Sequence, residues 1–226
     1  MTRFGLILLF ALLVLIGGAV ATYLVLTSKQ AVQAPVDTAS TTPIAVGDAI
    51  YTNGTFGFVI QYPESATVDN NFTSYYHLPP YWRANALPNA TGTPVVSFTA
   101  YSTKSENSFP RYFAAIIRVG VSTDKLEIAQ CLKVIPNQGE TALPDVTLNG
   151  TVWKAFSFES AGMQQYVRGV SYRSVHEGRC IALEKIAVGS SYTDDPVSEK
   201  DIPQSTLDAK YAELDRIVQS FTFVRP

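Results

Sequence analysis

Apolar and polar residues alternate along much of the chain after residue 48, and this period of two is typical of strands with one buried face. The clearest case is residues 56–62, where Phe56, Phe58, Ile60 and Tyr62 alternate with smaller or polar residues. After Arg111, residues 111–121 are apolar on both faces except for Arg118, which predicts a strand in the middle of a sheet. The pattern predicts further strands at 49–52, 95–101, 141–148, 151–160, 164–175, 179–189 and 221–224.

Short turns separate several of these strands. Asn53-Gly54 and Asn149-Gly150 are Asn-Gly pairs, which supply the two positive-φ positions of a tight hairpin turn. Glu177-Gly178 stands between two of the longer predicted strands. These turns predict that the strands pair in an antiparallel manner.

A different spacing marks the last thirty residues. Apolar side chains recur there at intervals of four and three, which predicts a helix over 206–220 lying on the sheet, preceded by a capping-box-like Ser205-x-x-Asp208. Ser122-Thr123-Asp124 offers caps for a shorter helix that extends to about Lys133. Strands in succession with few helices favour an α+β fold, in which helices cover an antiparallel sheet.

The first 28 residues form a separate region. Phe4 to Leu26 is apolar and uncharged, and as a helix it would span about 34 Å, enough to cross a bilayer. A cleaved signal peptide ending at Ala19-Val20-Ala21 is the alternative, but the apolar run continues beyond that site. We therefore predict a transmembrane anchor at 1–28, a Pro/Thr/Ala-rich linker at 29–48 and an extracytoplasmic domain at 49–226 of a single-pass membrane protein.

Composition narrows the function classes. Charged residues make up only 16% of the chain, the net charge is −2, and Lys and Arg do not cluster, so the electrostatic footprint of a nucleic-acid-binding protein is missing. The 46% hydrophobic content is that of a folded protein and excludes wholesale disorder.

Two segments resemble the ends of PsbP-like domains. The first is Tyr51-Thr52-Asn53, followed by Gly57 to Pro63 (GFVIQYP); the second is Leu214 to Phe223 (LDRIVQSFTF). The resemblance implies an α/β/α sandwich with an antiparallel sheet between helices. It also implies an accessory or binding module, since the family has no common catalytic residue to carry over. Residues 68–94 have no counterpart in the resemblance.

Those residues are unusually aromatic and stiffened by prolines, and they supply the candidate binding residues: Tyr75, Tyr76, His77, Tyr81, Trp82 and Arg83. Such side chains dominate binding hot spots, which favours a partner site. The alternative is that the segment folds back over the sheet as packing.

Catalytic and metal signatures are missing. His77 and His176 are the only histidines, no Cys-x-x-Cys or Gly-x-Ser-x-Gly motif is present, and the acidic residues at 194–201 match no calcium-loop spacing. The two cysteines, Cys131 and Cys180, form either one disulfide or two buried thiols. Cys180 near His176 lacks a third group to orient a catalytic pair. We predict no enzyme activity, cofactor or metal.

Four Asn-x-Thr triplets begin at Asn53, Asn71, Asn89 and Asn149, and the sequence leaves their glycosylation open. The resulting interpretation is a membrane-tethered, extracytoplasmic module that binds an envelope or membrane protein, through the aromatic segment and one open sheet edge. An envelope-polymer hydrolase and a structural subunit of a surface assembly are the alternatives.

Overall fold

The structure is a computed structural model that describes residues 48–75, 77–103, 112–135, 139–190 and 202–224. The predicted anchor, nearly all of the predicted linker, Tyr76 and the acidic residues at 194–201 lie outside these ranges. None of the helices within the described ranges has the length and apolar character needed to cross a membrane.

A seven-stranded antiparallel sheet forms most of the described chain, in the order β3-β4-β5-β9-β8-β7-β6. The predicted strand at 111–121 is β5, which lies inside the sheet between β4 and β9, as its two apolar faces indicated. The strands are β3 (Thr67–Asp69), β4 (Thr93–Ser102), β5 (Phe113–Ser122), β6 (Glu140–Leu148), β7 (Thr151–Gly162), β8 (Gln165–His176) and β9 (Arg179–Ser190).

A second sheet has three strands in the order β1-β2-β10, with β1 at Asp48–Asn53, β2 at Phe58–Pro63 and β10 at Thr222–Phe223. Two helices are described, α1 at Lys125–Gln130 and α2 at Gln204–Ser220. The small sheet and α2 pack on the same face of the large sheet. Their shared core contains Phe58, Phe98, Ile117, Trp153, Leu183, Leu214 and Phe221.

The other face of the large sheet is covered differently from what the sequence predicted. Apart from the six-residue helix α1, its cover is the irregular segment 70–92, which we call the lid. The predicted antiparallel sheet is therefore confirmed, but its cover by helices is not, because α2 shares its face with the three-stranded sheet and the other face is covered mainly by the lid. The aromatic side chains of the lid take the place that helices were expected to fill.

Two local predictions were wrong. The turn after β1 is longer than an Asn-Gly pair because the Asn53 side chain accepts the N–H of Phe56 at 2.9 Å, and Gly57 rather than Gly54 takes the positive φ. The last helix begins at Gln204 after Pro203, with no side-chain cap. The Asp208 carboxylate instead accepts hydrogen bonds from Arg168 and Gln204.

The short helix α1 is also shorter than predicted. Asp124 caps it as expected, its side chain accepting the N–H groups of Leu126 and Glu127. Its last residue is Gln130 instead of one near Lys133, and the next residue, Cys131, is bonded to β9. We attribute the early end to this anchor.

Candidate binding surface

The lid buries the most prominent members of the predicted binding set. Trp82 and Arg83 are each only 2% exposed. The Trp82 ring lies against Gly92, and a Cβ on Gly120 of β5 would come within 1.6 Å of the Trp82 carbonyl oxygen. Only glycine at that position lets the lid approach the sheet so closely. Trp82 is therefore core packing, and the prediction that it and Arg83 form an exposed partner site was wrong.

Arg118, the one charge in the central strand, anchors the first half of the lid. Its guanidinium donates to the carbonyl oxygens of Thr73 at 2.5 Å and Pro79 at 3.4 Å, and it lies 4.6 Å over the Phe72 ring. Burial lowers the pKa of Arg118 to about 10, which still leaves it charged at neutral pH. Arg118, which interrupts the apolar sequence of β5, thus binds the backbone of the lid.

Glu184 anchors the middle of the lid. It is paired with Arg118 across β5 and β9, and both of its carboxylate oxygens lie within 2.9 Å of the Ala84 backbone nitrogen. Complete burial raises the pKa of Glu184, and the Ala84 N–H and nearby arginines oppose that rise.

Arg83 makes a third anchor, between the lid and α1. Its Nη2 lies 3.3 Å from a carboxylate oxygen of Glu127, and its Nη1 lies 3.9 Å from Glu140, which is held by the buried Arg173. Burial lowers the pKa of Arg83. Removing one partner of such a buried network would leave an uncompensated charge, which is expected to destabilise the lid.

The two cysteines meet beside this anchor. The Cys131 and Cys180 sulfurs are 2.04 Å apart in a disulfide, and both residues are buried. Cys180 thus has no free thiol to serve as a nucleophile. The disulfide holds the end of α1 on β9, and α1 in turn carries the Glu127 that receives Arg83.

Tyr75, His77 and Tyr81 remain half-buried. Tyr81 packs against the cluster around Trp82. Tyr75 and His77 lie in a four-residue turn closed by two hydrogen bonds between the backbones of Tyr75 and Leu78. The Tyr75 ring stacks on Tyr112 with centroids 6.2 Å apart. This turn brings His77 to the end of the large sheet.

At that end, His77 is seated on the tip of the β7–β8 hairpin. Its Nε2 lies 3.1 Å from the Gly162 carbonyl oxygen, and its Nδ1 lies 3.3 Å from the Ser160 hydroxyl. A neutral imidazole satisfies both contacts when Nε2–H donates to the carbonyl and Nδ1 accepts from the hydroxyl. In a hydrolase triad a buried carboxylate orients the histidine, and here a backbone carbonyl stands in that place.

The hairpin tip itself has an unusual turn. Met163 and Gln164 both have positive φ, at +47° and +61°, and Met163 is 82% exposed. In two other hairpin turns, Asn149-Gly150 and Glu177-Gly178, both residues also have positive φ, but the second residue is a glycine, which adopts positive φ without steric strain. Met163 and Gln164 lack such a glycine, and each therefore carries roughly 1–2 kcal/mol of backbone strain.

We call Tyr75, His77, Ser160 and Met163 the hairpin surface. Sequence reasoning found its two lid residues but missed Ser160 and Met163. The predicted strands at 151–160 and 164–175 left Ala161-Gly162-Met163 between them, whereas in the structure the turn consists of Met163 and Gln164, neither of which is Gly or Asn. Within the described ranges, no group of three or more His, Cys, Asp or Glu side chains could hold a metal ion.

One solved structure to which the chain is similar is the solution structure of cyanobacterial PsbP (CyanoP) from Synechocystis sp. PCC 6803. The match covers 84% of this chain and 99% of that chain, at 12% sequence identity and a TM-score of 0.37. No family model and no curated protein matches the chain.

Proposed function

We propose that this protein is a membrane-tethered, extracytoplasmic accessory module that binds an envelope protein through the hairpin surface. One observation supports this choice of surface. Met163 is 82% exposed at the tip of a strained turn, and His77 contacts the neighbouring Gly162 carbonyl oxygen. Residues held at strained backbone angles cluster at binding and active sites. A methionine there offers a flexible, polarisable contact.

The chemistry of the tip indicates the kind of partner surface. Residues 160–165 (SAGMQQ) carry no charge, so charged partners gain no ion pair with them. We propose an uncharged partner surface with an apolar pocket for the Met163 thioether, bordered by groups that hydrogen-bond the glutamine amides. The disulfide supports an oxidising, extracytoplasmic compartment, where such bonds persist.

Strand addition at the β6 edge of the large sheet is the weaker mode of binding. The edge strand β6 contains Pro144, and its pairing with β7 shifts between Leu143 and Val146. Proline and a bulge both interrupt the regular row of backbone groups that an added strand needs. We therefore assign partner recognition to the hairpin surface and not to this edge.

Site-specific photo-crosslinking in intact cells tests the proposal. A photo-reactive residue replaces Met163 in the full chain, and Leu126, which is 72% exposed on α1, carries the same residue as the control. We expect one discrete adduct from position 163 and none of equal yield from position 126. Equal yields at both positions, or no adduct from 163, would overturn the choice of surface. Adducts that contain only this protein would favour a structural subunit.

A further inference from the structure

We infer that Asn71 and Asn89 are the positions at which this fold accepts an N-linked glycan, and that Asn149 is closed to one. The inference rests on the proposed extracytoplasmic placement, because the modification requires a compartment with a glycosylating enzyme. All four Asn-x-Thr triplets satisfy the sequence requirement. The structure separates them by what each asparagine amide already does.

The reaction sets the criterion. The amide nitrogen Nδ2 attacks C1 of a sugar carried on a lipid pyrophosphate, the C1–O bond to phosphate breaks, and the lipid pyrophosphate leaves with the bonding electrons. Nδ2 loses one proton to a base of the transferase and retains one hydrogen. An acceptor asparagine therefore needs an exposed amide with one hydrogen that the fold does not use.

Asn149 fails this criterion. Its Nδ2 donates two hydrogen bonds into the end of α2, to the carbonyl oxygens of Gln219 at 2.9 Å and Phe221 at 2.8 Å. An amide group has only two hydrogens, so a sugar on Nδ2 would replace one of these bonds. Asn149 is exposed, so a sugar could be attached only if the amide gave up one of these two bonds and turned away from the end of α2.

Asn53 is an intermediate case. It is half-buried, its Oδ1 accepts the Phe56 N–H at 2.9 Å, and its Nδ2 lies 3.3 Å from the Tyr51 hydroxyl. These contacts fix the amide inside the turn that follows β1. A glycan would have to turn the side chain out and release the turn.

Asn71 and Asn89 meet the criterion. Both asparagines are exposed, and so are the threonines two positions later, Thr73 and Thr91. The backbone beside each is held by the sheet instead of by the asparagine, because Arg118 binds the Thr73 carbonyl and Ser122 binds the Thr91 carbonyl. The two amides thus lie at the two ends of the lid, outside the core it covers.

Asn71 has one further distinguishing feature. Asp69 stands two residues before it, and its carboxylate accepts the Asn71 backbone N–H at 2.8 Å. The other three triplets have Tyr51, Leu87 and Thr147 at the corresponding position. A transferase that requires an acidic residue at that place would therefore modify Asn71 alone.

The test treats the purified, folded full chain in detergent with an oligosaccharyltransferase and a lipid-pyrophosphate oligosaccharide, and then measures site occupancy by peptide mass spectrometry. We expect high occupancy at Asn71 and Asn89, at least tenfold lower occupancy at Asn149, and an intermediate value at Asn53. With a transferase that requires the acidic residue, we expect modification of Asn71 alone, and the D69A variant should lose that modification.

The unfolded, reduced and alkylated chain is the control, and all four sites should then accept the sugar from the less selective enzyme. Occupancy of Asn149 in the folded chain equal to that of Asn71 would overturn the inference. Absence of sugar at Asn71 and Asn89 in the folded chain, with modification after unfolding, would overturn it as well. Neither outcome depends on a partner, so a failure here is distinct from a failure of the proposed function.

Discussion

Removal of the disulfide is the perturbation whose magnitude follows most directly from the fold. Cys131 and Cys180 are 49 residues apart in sequence, and in the chain-entropy model a loop of that length contributes about 4 kcal/mol by restricting the unfolded chain. The double substitution to alanine, C131A/C180A, should lower the free energy of unfolding by about that amount. For a folded body of this size the loss corresponds to roughly 8–16 °C in Tm.

The structure adds a local consequence. Helix α1 has only six residues, too few to be stable alone, and it carries the Glu127 that binds Arg83 of the lid. Without the disulfide, α1 and the lid should lose protection against amide hydrogen exchange before the remainder of the sheet does. Amides of β5, in the middle of the sheet, serve as the internal reference.

Urea unfolding of the full chain in detergent micelles, followed by tryptophan fluorescence, measures the first effect. Wild-type protein that is reduced and alkylated should unfold near the midpoint of the double variant. A loss below about 1 kcal/mol, or uniform exchange across lid and sheet, would refute the reasoning that this bond fixes α1 and the lid.

Three further predictions concern the lid and the turn. W82A should lower the free energy of unfolding, measured in urea, by about 3–5 kcal/mol, since Trp82 fills the space between lid and sheet. A loss below about 0.5 kcal/mol would show that Trp82 is not part of the core. M163N/Q164G should gain about 1–2 kcal/mol of unfolding free energy, less than the summed strain of two positive-φ side chains because glycine also raises the entropy of the unfolded chain, and an unchanged stability would show that the turn is not strained. The folded pKa of Glu184 lies above its ordinary value of 4.5, so its contribution to stability is fully present below the unfolded pKa and is lost as pH rises through the folded pKa. In E184Q the free energy of unfolding should no longer decline as pH rises through this range. An unchanged pH dependence would contradict the raised pKa of Glu184.

The regular parts of this fold could be predicted because their signals are local. The apolar pattern predicted six of the seven strands of the large sheet, all except β3, and the two apolar faces of 111–121 predicted its place in the middle of the sheet. The turns at 149–150 and 177–178 follow from glycine at the second position. Each of these inferences needs only the neighbouring residues and the backbone geometry they allow.

The lid could not be placed in the same way. A tryptophan beside an arginine is as typical of an exposed binding site as of a buried contact in the core. Burial of Trp82 depends on Gly120, and burial of Arg83 depends on Glu127 and Glu140, all distant in sequence. The candidate surface was missed for a related reason, since His77 meets Ser160 only after the sheet has formed.

The pairing of Cys131 with Cys180 was likewise open, because two thiols in sequence do not reveal whether a helix end will lie on a strand. The structure brings their Cα atoms to 5.7 Å, within the range that a disulfide spans.

If the strained turn at Met163 and Gln164 serves contact with a partner, stability and binding should change in opposite directions when the strain is removed. The measurement is the yield of the cellular adduct from a photo-reactive residue at Gln165, beside the turn, in the wild-type chain and in M163N/Q164G. We expect a yield at least fivefold lower in the variant, although the variant is the more stable protein. An undiminished yield from the more stable variant would contradict this expectation.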